Sequence, residues 1–429
     1  MPSNLVTHQS EHRDCPPSTI LPFAVGFYFA FRTFVMVLAV TLLGADPRTG
    51  TGLSLSIDYL LLLITTFCTF GVARYPFRQM LQLTTVRWAF LFLAISGCSF
   101  VWTGTASLPT AMAYWCAMAA DVAIVIFLFR AAPLTETSTS LMTGYVWGAC
   151  AVAAIAWIMP AQDDLRLGVE DLLGPNQIGY LCGFAFFFAQ YLMRERKRGF
   201  VVPGVLLAVT LLRTLSKTTI VAFLVAEGFL LISDKSISRK TRVLVTLATA
   251  AVVAACWGLL ASYYDIYTNA GSQSETLSGR LGIWAYFLAE AVQQPWIGHG
   301  FDSAWMVIPP FGPDKFEAAH AHNELLQQFY AYGAVGILMF VGIYFSLYMH
   351  IRRLAKGPLR TFFFAFLLFA LIRGGADTER FDLSLPMWAI VLISLLIDQA
   401  CKVPEETPEV IAIRPIAFGD DASRSFGLQ

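Results

Sequence analysis

Charge is scarce in this chain. Only 14% of its 429 residues are Asp, Glu, Lys or Arg, 57% are apolar, and the mean hydropathy is +0.62. Soluble domains carry about a quarter of their residues as charges, so an ordinary soluble protein is excluded. The charges balance to zero, which gives no footing for a polyanion, and nucleic acid is not an expected partner. The eight cysteines stand singly, at Cys15, Cys68, Cys98, Cys116, Cys150, Cys182, Cys256 and Cys401. No spacing among them suggests a metal or disulfide framework, so they read as small packing residues. A cleavable signal peptide is also lacking: the first nineteen residues are polar, end in Pro16-Pro17, and have neither a basic start nor a small-residue cleavage site. Internal repeats and a separate soluble domain are absent as well.

Long apolar runs are abundant. About twenty apolar residues cross ~30 Å of hydrocarbon, and such runs lie near 20–43, 56–73, 87–104, 108–130, 140–160, 176–193, 199–213, 216–233, 242–262, 325–350, 359–375 and 383–400. They are continuous rather than alternating, which excludes a β-barrel. The expected fold is an all-α polytopic membrane protein of about twelve transmembrane helices. Alternate connections carry Arg74, Arg78 and Arg87; Arg130; Arg194, Arg196, Lys197 and Arg198; Lys235, Arg239, Lys240 and Arg242; and Arg352, Arg353, Lys356 and Arg360. The connection at 161–175 is acidic, with Asp163, Asp164, Glu170 and Asp171. The positive-inside rule then puts both termini in the cytoplasm. The expected layout is a cytoplasmic tail over 1–19, nine helices over 20–262, one large periplasmic loop over 263–324, three helices over 325–400 and a loosely ordered cytoplasmic tail over 401–429.

That loop belongs to a polar island, Leu277 to Gly336, which holds three of the six histidines. Arg280 to Gln293 reads as a surface helix capped by Ser278, with an apolar stripe of Leu281, Trp284, Ala285, Leu288 and Val292 lying on the membrane. Pro295 ends it, and Gly298, Gly300, Pro309, Pro310, Gly312 and Pro313 force a turn-rich excursion.

The expected topology gathers polar groups on the outer face: Asn176, Arg213, Lys217, Arg280, His320, His322, Arg373, Asp377, Glu379 and Arg380. Cations there can neutralise a lipid-linked diphosphate as charge grows on the leaving group. A histidine can accept a proton from an attacking sugar hydroxyl, and that scheme needs no metal or other cofactor. Plainer readings exist for each. Arg213 and Arg380 are the kind of cation that snorkels, His322 can cap a helix, and Trp284 is a typical interfacial anchor. His320, His322, His299 and Asp302 could ligate a metal, although His-x-His alone is a weak signal. Asp121 and Glu227 lie inside spans, where either a proton path or a buried hydrogen bond would explain them.

The order Gly174-Pro175-Asn176-Gln177-Ile178-Gly179, Ser216-Lys217-Thr218, Gly279-Arg280, Trp284, Pro295-Trp296-Ile297-Gly298-His299-Gly300, His322-Asn323, Gly333 and Gly336 resembles the O-antigen ligase and polymerase superfamily of integral membrane glycosyltransferases. The resemblance covers about Gly174 to Gly336. It implies a bacterial inner-membrane enzyme with a periplasmic active site and an undecaprenyl-diphosphate-linked oligosaccharide donor. It also implies Lys217 and Arg280 facing the diphosphate and an essential His322. Taken with the outer-face set, the expected site has His322 and Arg280 as catalytic residues, and Lys217, Arg213, Asn323, Arg373 and Asn176 as substrate-binding ones. Lys217 departs from the family's arginine, keeping the charge but losing the bidentate fork. The Ser-Lys-Thr and His-Ala-His-Asn variants lean toward an exopolysaccharide polymerase that extends a lipid-linked glycan, with a chain-length regulator as a further partner. A ligase that transfers the glycan to the lipid A core is the alternative. A lipid-linked sugar flippase is the competitor from another class, but transporters place ionisable groups at the midplane of repeated halves.

Overall fold

A computed structural model describes residues 19–402, apart from 73–74, 161–164, 169–171, 196–197, 256–257, 259–260, 262–279, 305–318 and 380. The expected tails, the Ser278 cap, Gly279, the proline-rich stretch 309–313, the acidic residues of 161–175 and Arg380 therefore lie outside the described residues. Every element of regular structure among the described residues is a helix. In chain order these are α1 (Ile20–Leu43), α2 (Pro47–Thr69), α3 (Phe77–Met80), α4 (Thr84–Cys98), α5 (Leu108–Ala131), α6 (Leu134–Ile158), α7 (Pro175–Arg194), α8 (Val201–Arg213), α9 (Lys217–Ser233), α10 (Arg239–Ala255), α11 (Arg280–Ala291), α12 (Glu324–Arg353), α13 (Pro358–Gly374) and α14 (Met387–Lys402).

Among the described residues, six helical stretches are long and apolar enough to cross a membrane: α1, α2, α4 with its 3₁₀ extension to Val101, α5, α6 and α12. The chain is a polytopic helical membrane protein. α2 starts nine residues before the apolar run that announces it. Asp46 caps it by accepting from Arg48 N at 3.1 Å and Thr49 N at 3.2 Å, and Pro47 fits the first turn. Its polar residues bond back along the helix, Thr51 Oγ1 to Pro47 O at 2.9 Å and Ser56 Oγ to Gly52 O at 2.8 Å, and so stay helical in apolar surroundings.

The core centres on α14, whose residues Met387 to Ile397 are all buried, as expected of a helix that is apolar all round. Its Trp388 packs against Phe29 of α1, Tyr145 of α6 and Phe184 and Phe188 of α7, with ring centroids 5.0–6.2 Å apart. α1 and α6 form the most extensive helix pair.

α12 is broken at Gly333, whose φ of 62° and ψ of −146° are outside the helical region. The break leaves carbonyl and amide groups to be satisfied, and the Pro295–Gly300 segment fills it. Ala334 N donates to Pro295 O at 2.7 Å, His299 N to Tyr330 O at 3.0 Å and Gly300 N to Ala331 O at 2.8 Å. A Cβ on Gly333 would sit 2.4 Å from the Trp296 carbonyl carbon, and one on Gly298 (φ 61°) 2.5 Å from Ala331 C. The spaced glycines of the island thus weld a loop into a broken helix.

α11 also differs from its expected form. Leu281, Leu288 and Val292 are exposed, whereas Ile283, Phe287 and Ala291 are buried against Ala304, Ala321 and Tyr330. The helix therefore has a second apolar face, packed on α12.

Candidate functional site

The described residues of the expected outer-face set fall into two clusters, whereas Asp121 and Glu227 lie within helices away from both. The first joins the starts of α7, α9 and α11. Ser216 Oγ donates to Asn176 Oδ1 at 2.9 Å, and Arg166 Nη2 donates to the same oxygen at 2.9 Å. Arg280 Nη1 donates to Thr218 Oγ1 at 2.7 Å, bringing the α11 and α9 N-termini side by side. Arg213, at the end of α8, donates to Leu165 O at 2.6 Å. Leu165 and Leu215 both hold positive φ, 65° and 55°, a conformation that costs of order 1 kcal/mol or more and persists where the surroundings fix it.

Two features of this cluster favour an anion. Lys217 occupies the first position of α9, where the dipole repels a cation. Ser216, at the N-cap of α9, makes no capping bond; its hydroxyl donates to Asn176 and lies 3.0 Å from Thr219 Oγ1. The amides at the start of α9 therefore lack the side-chain acceptor that usually covers them.

The second cluster joins the start of α12 to the end of α13. His322 Nδ1 lies 3.1 Å from Asp377 Oδ1, and the His320 and His322 rings are 4.1 Å apart. Asn323 caps α12 by accepting from Leu326 N at 3.0 Å, and its Nδ2 donates to Gly375 O at 2.9 Å. Thr378 N donates to Asp377 Oδ1 at 3.1 Å, and Arg373 Nη2 lies 3.7 Å from Asp377 Oδ2. Burial alone would raise the Asp377 carboxyl, but the His322 hydrogen bond and the Arg373 and imidazole charges hold it well below the usual carboxylate range. His322 keeps a φ of 49°. A histidine in that region is over-determined by its neighbours, here Asn323 and Asp377 on either side of it.

Arg373 sits deeper than sequence alone suggests. It is 2% exposed, donates to Glu379 Oε1 at 2.7 Å and lies 3.8 Å over the Tyr180 ring. Tyr180 is one helical turn from Asn176 on α7, so this helix carries one contact residue of each cluster.

His299 is part of neither cluster: it stacks on Tyr330 at 4.5 Å, with Nε2 3.1 Å from Glu290 O, and fastens the loop to α11. His320, His322 and Asp377 offer ligand atoms within 4.8 Å of one another, a spacing a metal could use. That group does not include His299 or Asp302. Two site residues escaped sequence reading. Arg166 lies in a connection that reads as acidic, and Glu324, buried and bonded to Tyr344 OH at 2.9 Å and Ser384 N at 3.1 Å, follows the His-Asn pair without any spacing to flag it.

Residues 202–341 match the family model described as O-Antigen ligase. A protein of Pseudomonas aeruginosa named O-antigen ligase is 28% identical over 222 residues, which are 51% of this chain and 52% of that protein. The chain thus spans about half the length of this curated relative. The matched segment contains Lys217, Arg280 and His322, and over it the chain is similar to the O-antigen ligase family.

Proposed function

We propose that this chain is a glycosyltransferase of the bacterial inner membrane, with about twelve spans, cytoplasmic termini and a periplasmic site, acting on an undecaprenyl-diphosphate-linked glycan. The observation that carries the reading is the start of α9, led by Lys217 and tied to Arg280 through Thr218, together with the His322–Asp377 pair at the start of α12. Oriented amides and cations at a helix start suit a phosphate. Lys217, Arg280 and the start of α9 would hold the diphosphate, with Asn176, Arg166 and Arg213 fixing the loop behind them. Asp377 would fix the His322 tautomer with hydrogen on Nδ1, leaving Nε2 as the base.

In this scheme the acceptor hydroxyl gives its proton to His322 Nε2 as its oxygen attacks the anomeric carbon. The bond from that carbon to the diphosphate breaks, and the electron pair leaves with a diphosphate neutralised by Lys217 and Arg280. A single displacement of this kind inverts the anomeric configuration. Arg373 would act as a positioning residue through Asp377, and Asn323 by holding His322 at the start of α12.

Two acceptors fit. Lys217 and the His-Ala-His-Asn sequence support a polymerase that uses another lipid-linked repeat, whereas the descriptions of the matched family and relative support a ligase that uses the lipid A core. The size distribution of lipid-linked glycans in cells carrying Arg280→Ala or His322→Ala separates them. Accumulated single repeats mean a polymerase, and long chains that never reach lipid A mean a ligase. Unchanged glycans in both variants would end the glycosyltransferase reading.

A further inference from the structure

Outside the two clusters, three charged side chains meet near the middles of three membrane-length helices. Arg32 of α1 pairs with Asp121 of α5, and its Nη1 lies 3.8 Å from Asp58 Oδ2 of α2. Asp58 and Asp121 are 3% and 2% exposed. Two carboxyl groups against one guanidinium leave one negative charge in excess, in surroundings where an unpaired charge costs several kcal/mol or neutralises instead.

The geometry says how the excess is met. Asp121 Oδ2 pairs with Arg32 Nη1 and Asp58 Oδ2 lies 3.8 Å from the same nitrogen, so both acids converge on one guanidinium nitrogen. That guanidinium neutralises one carboxylate, and a proton on the other acid removes the excess charge. Nearby hydroxyls do not supply it: Tyr28 donates to Ser54 O at 2.5 Å and Tyr59 to Ala113 O at 2.8 Å. One oxygen on each acid, Oδ1, is buried without a partner among the described residues. The other ionisable groups that face the three are Tyr28 on α1, Tyr59 on α2, Tyr145 on α6 and Asp382 before α14. None of these is a second cation.

We propose that Asp58, Asp121 and Arg32 form a binding site for a single proton in the middle of the membrane. The proton also fixes α2, whose buried residues are only Gly50, Asp58 and Thr65, so that its one docking stripe has the acid at its centre. Arg32 takes the charged member of the pair, and the acids can exchange that role.

The test uses the purified full chain in nanodiscs of zwitterionic lipid and needs no glycan donor, so it stands apart from the proposed glycosyltransferase activity. Infrared spectra at neutral pH should contain the carbonyl stretch of a protonated carboxyl that disappears in Asp58→Asn. The same band should disappear in Asp121→Asn, because whichever acid remains ionises against Arg32. Each single variant should melt near the wild type, and the double variant, which strands Arg32, well below the sum of the two shifts. If Asp58→Asn fails to fold, Asp121→Asn gives the same reading. A band retained in either folded variant overturns the proposal. So does a wild-type spectrum without the band, and thermal stability that then rises with added sodium would identify a metal cation as the occupant in place of the proton.

Discussion

Asp377→Asn isolates the contribution of the histidine–aspartate pair. Asp377 Oδ1 faces two donors, His322 Nδ1 and Thr378 N, both at 3.1 Å, and Oδ2 faces Arg373 Nη2 at 3.7 Å. An asparagine must turn its NH₂ toward one side or the other. Turned to Arg373, it meets a guanidinium; turned to His322, it meets an N–H from Thr378 and drives the imidazole to the tautomer whose lone pair faces away from the acceptor. Both outcomes cost correct positioning of the base. A general base contributes about 10²–10⁴ in rate, so the variant should lose roughly 10²- to 10³-fold in kcat, about 2.7–4 kcal/mol of barrier. Folding should suffer less, by about 1–2 kcal/mol, because Glu379 still holds Arg373 at 2.7 Å. Single-turnover transfer from a purified lipid-linked donor measures the first, and thermal melting of the same sample the second. A variant within about threefold of the wild-type rate, beside an inactive His322→Ala, would refute the tautomer assignment.

Lys217→Arg restores a planar fork to an exposed first helical position and should keep transfer within about threefold, whereas Lys217→Ala should raise KM by about tenfold or more; equal activity in both variants would remove Lys217 from the donor site. Gly333→Ala puts a Cβ 2.4 Å from backbone at a φ of 62°, so the folded protein should lose roughly 2–4 kcal/mol in a melting assay. The carboxyls of Asp377 and Asp382 should give opposite pH slopes in that assay. Asp377 is held below its ordinary value near ~3.9, so its contribution is complete above that pH and is lost as pH falls through the lower folded value. Burial, with the Asp121 charge adding to it, pushes Asp382 up to about 7 against the pull of the Leu383 and Met387 amides. Its contribution is therefore complete below about 4 and lost as pH rises through about 7, and Asp382→Asn should flatten that decline.

Helix positions were largely readable because apolar runs of this length have few alternatives in a membrane. Caps were less so. The start of α2 depended on Asp46-Pro47 and on hydroxyls that bond to their own helix, polar residues that hydropathy counts against a span. The helical reading of α11 found its exposed stripe and missed the inward one, because a helix wedged between a surface and α12 is apolar on two sides and its moment is weak.

The site was legible in its residue types and not in its division of labour. Composition and topology could place cations and a histidine at one end of the bundle, but could not say which charges are already committed. Arg373 and Arg280 look alike in sequence. In the fold one guanidinium is buried on Tyr180 and bonded to Glu379, and the other reaches from a helix start to a hydroxyl on the neighbouring helix start. The difference comes from where the acids lie. Asp377 and Glu379 follow Arg373 within six residues and turn back on it, whereas Arg280 donates to the neutral Thr218 hydroxyl. A cation whose charge is already neutralised can only position its neighbours. One set against a neutral hydroxyl keeps its charge for an anionic ligand. That is why the diphosphate role falls to Arg280 rather than Arg373, and why Arg280→Lys, which keeps the charge and shortens the reach to Thr218, should cost less than Arg280→Ala in the same transfer assay.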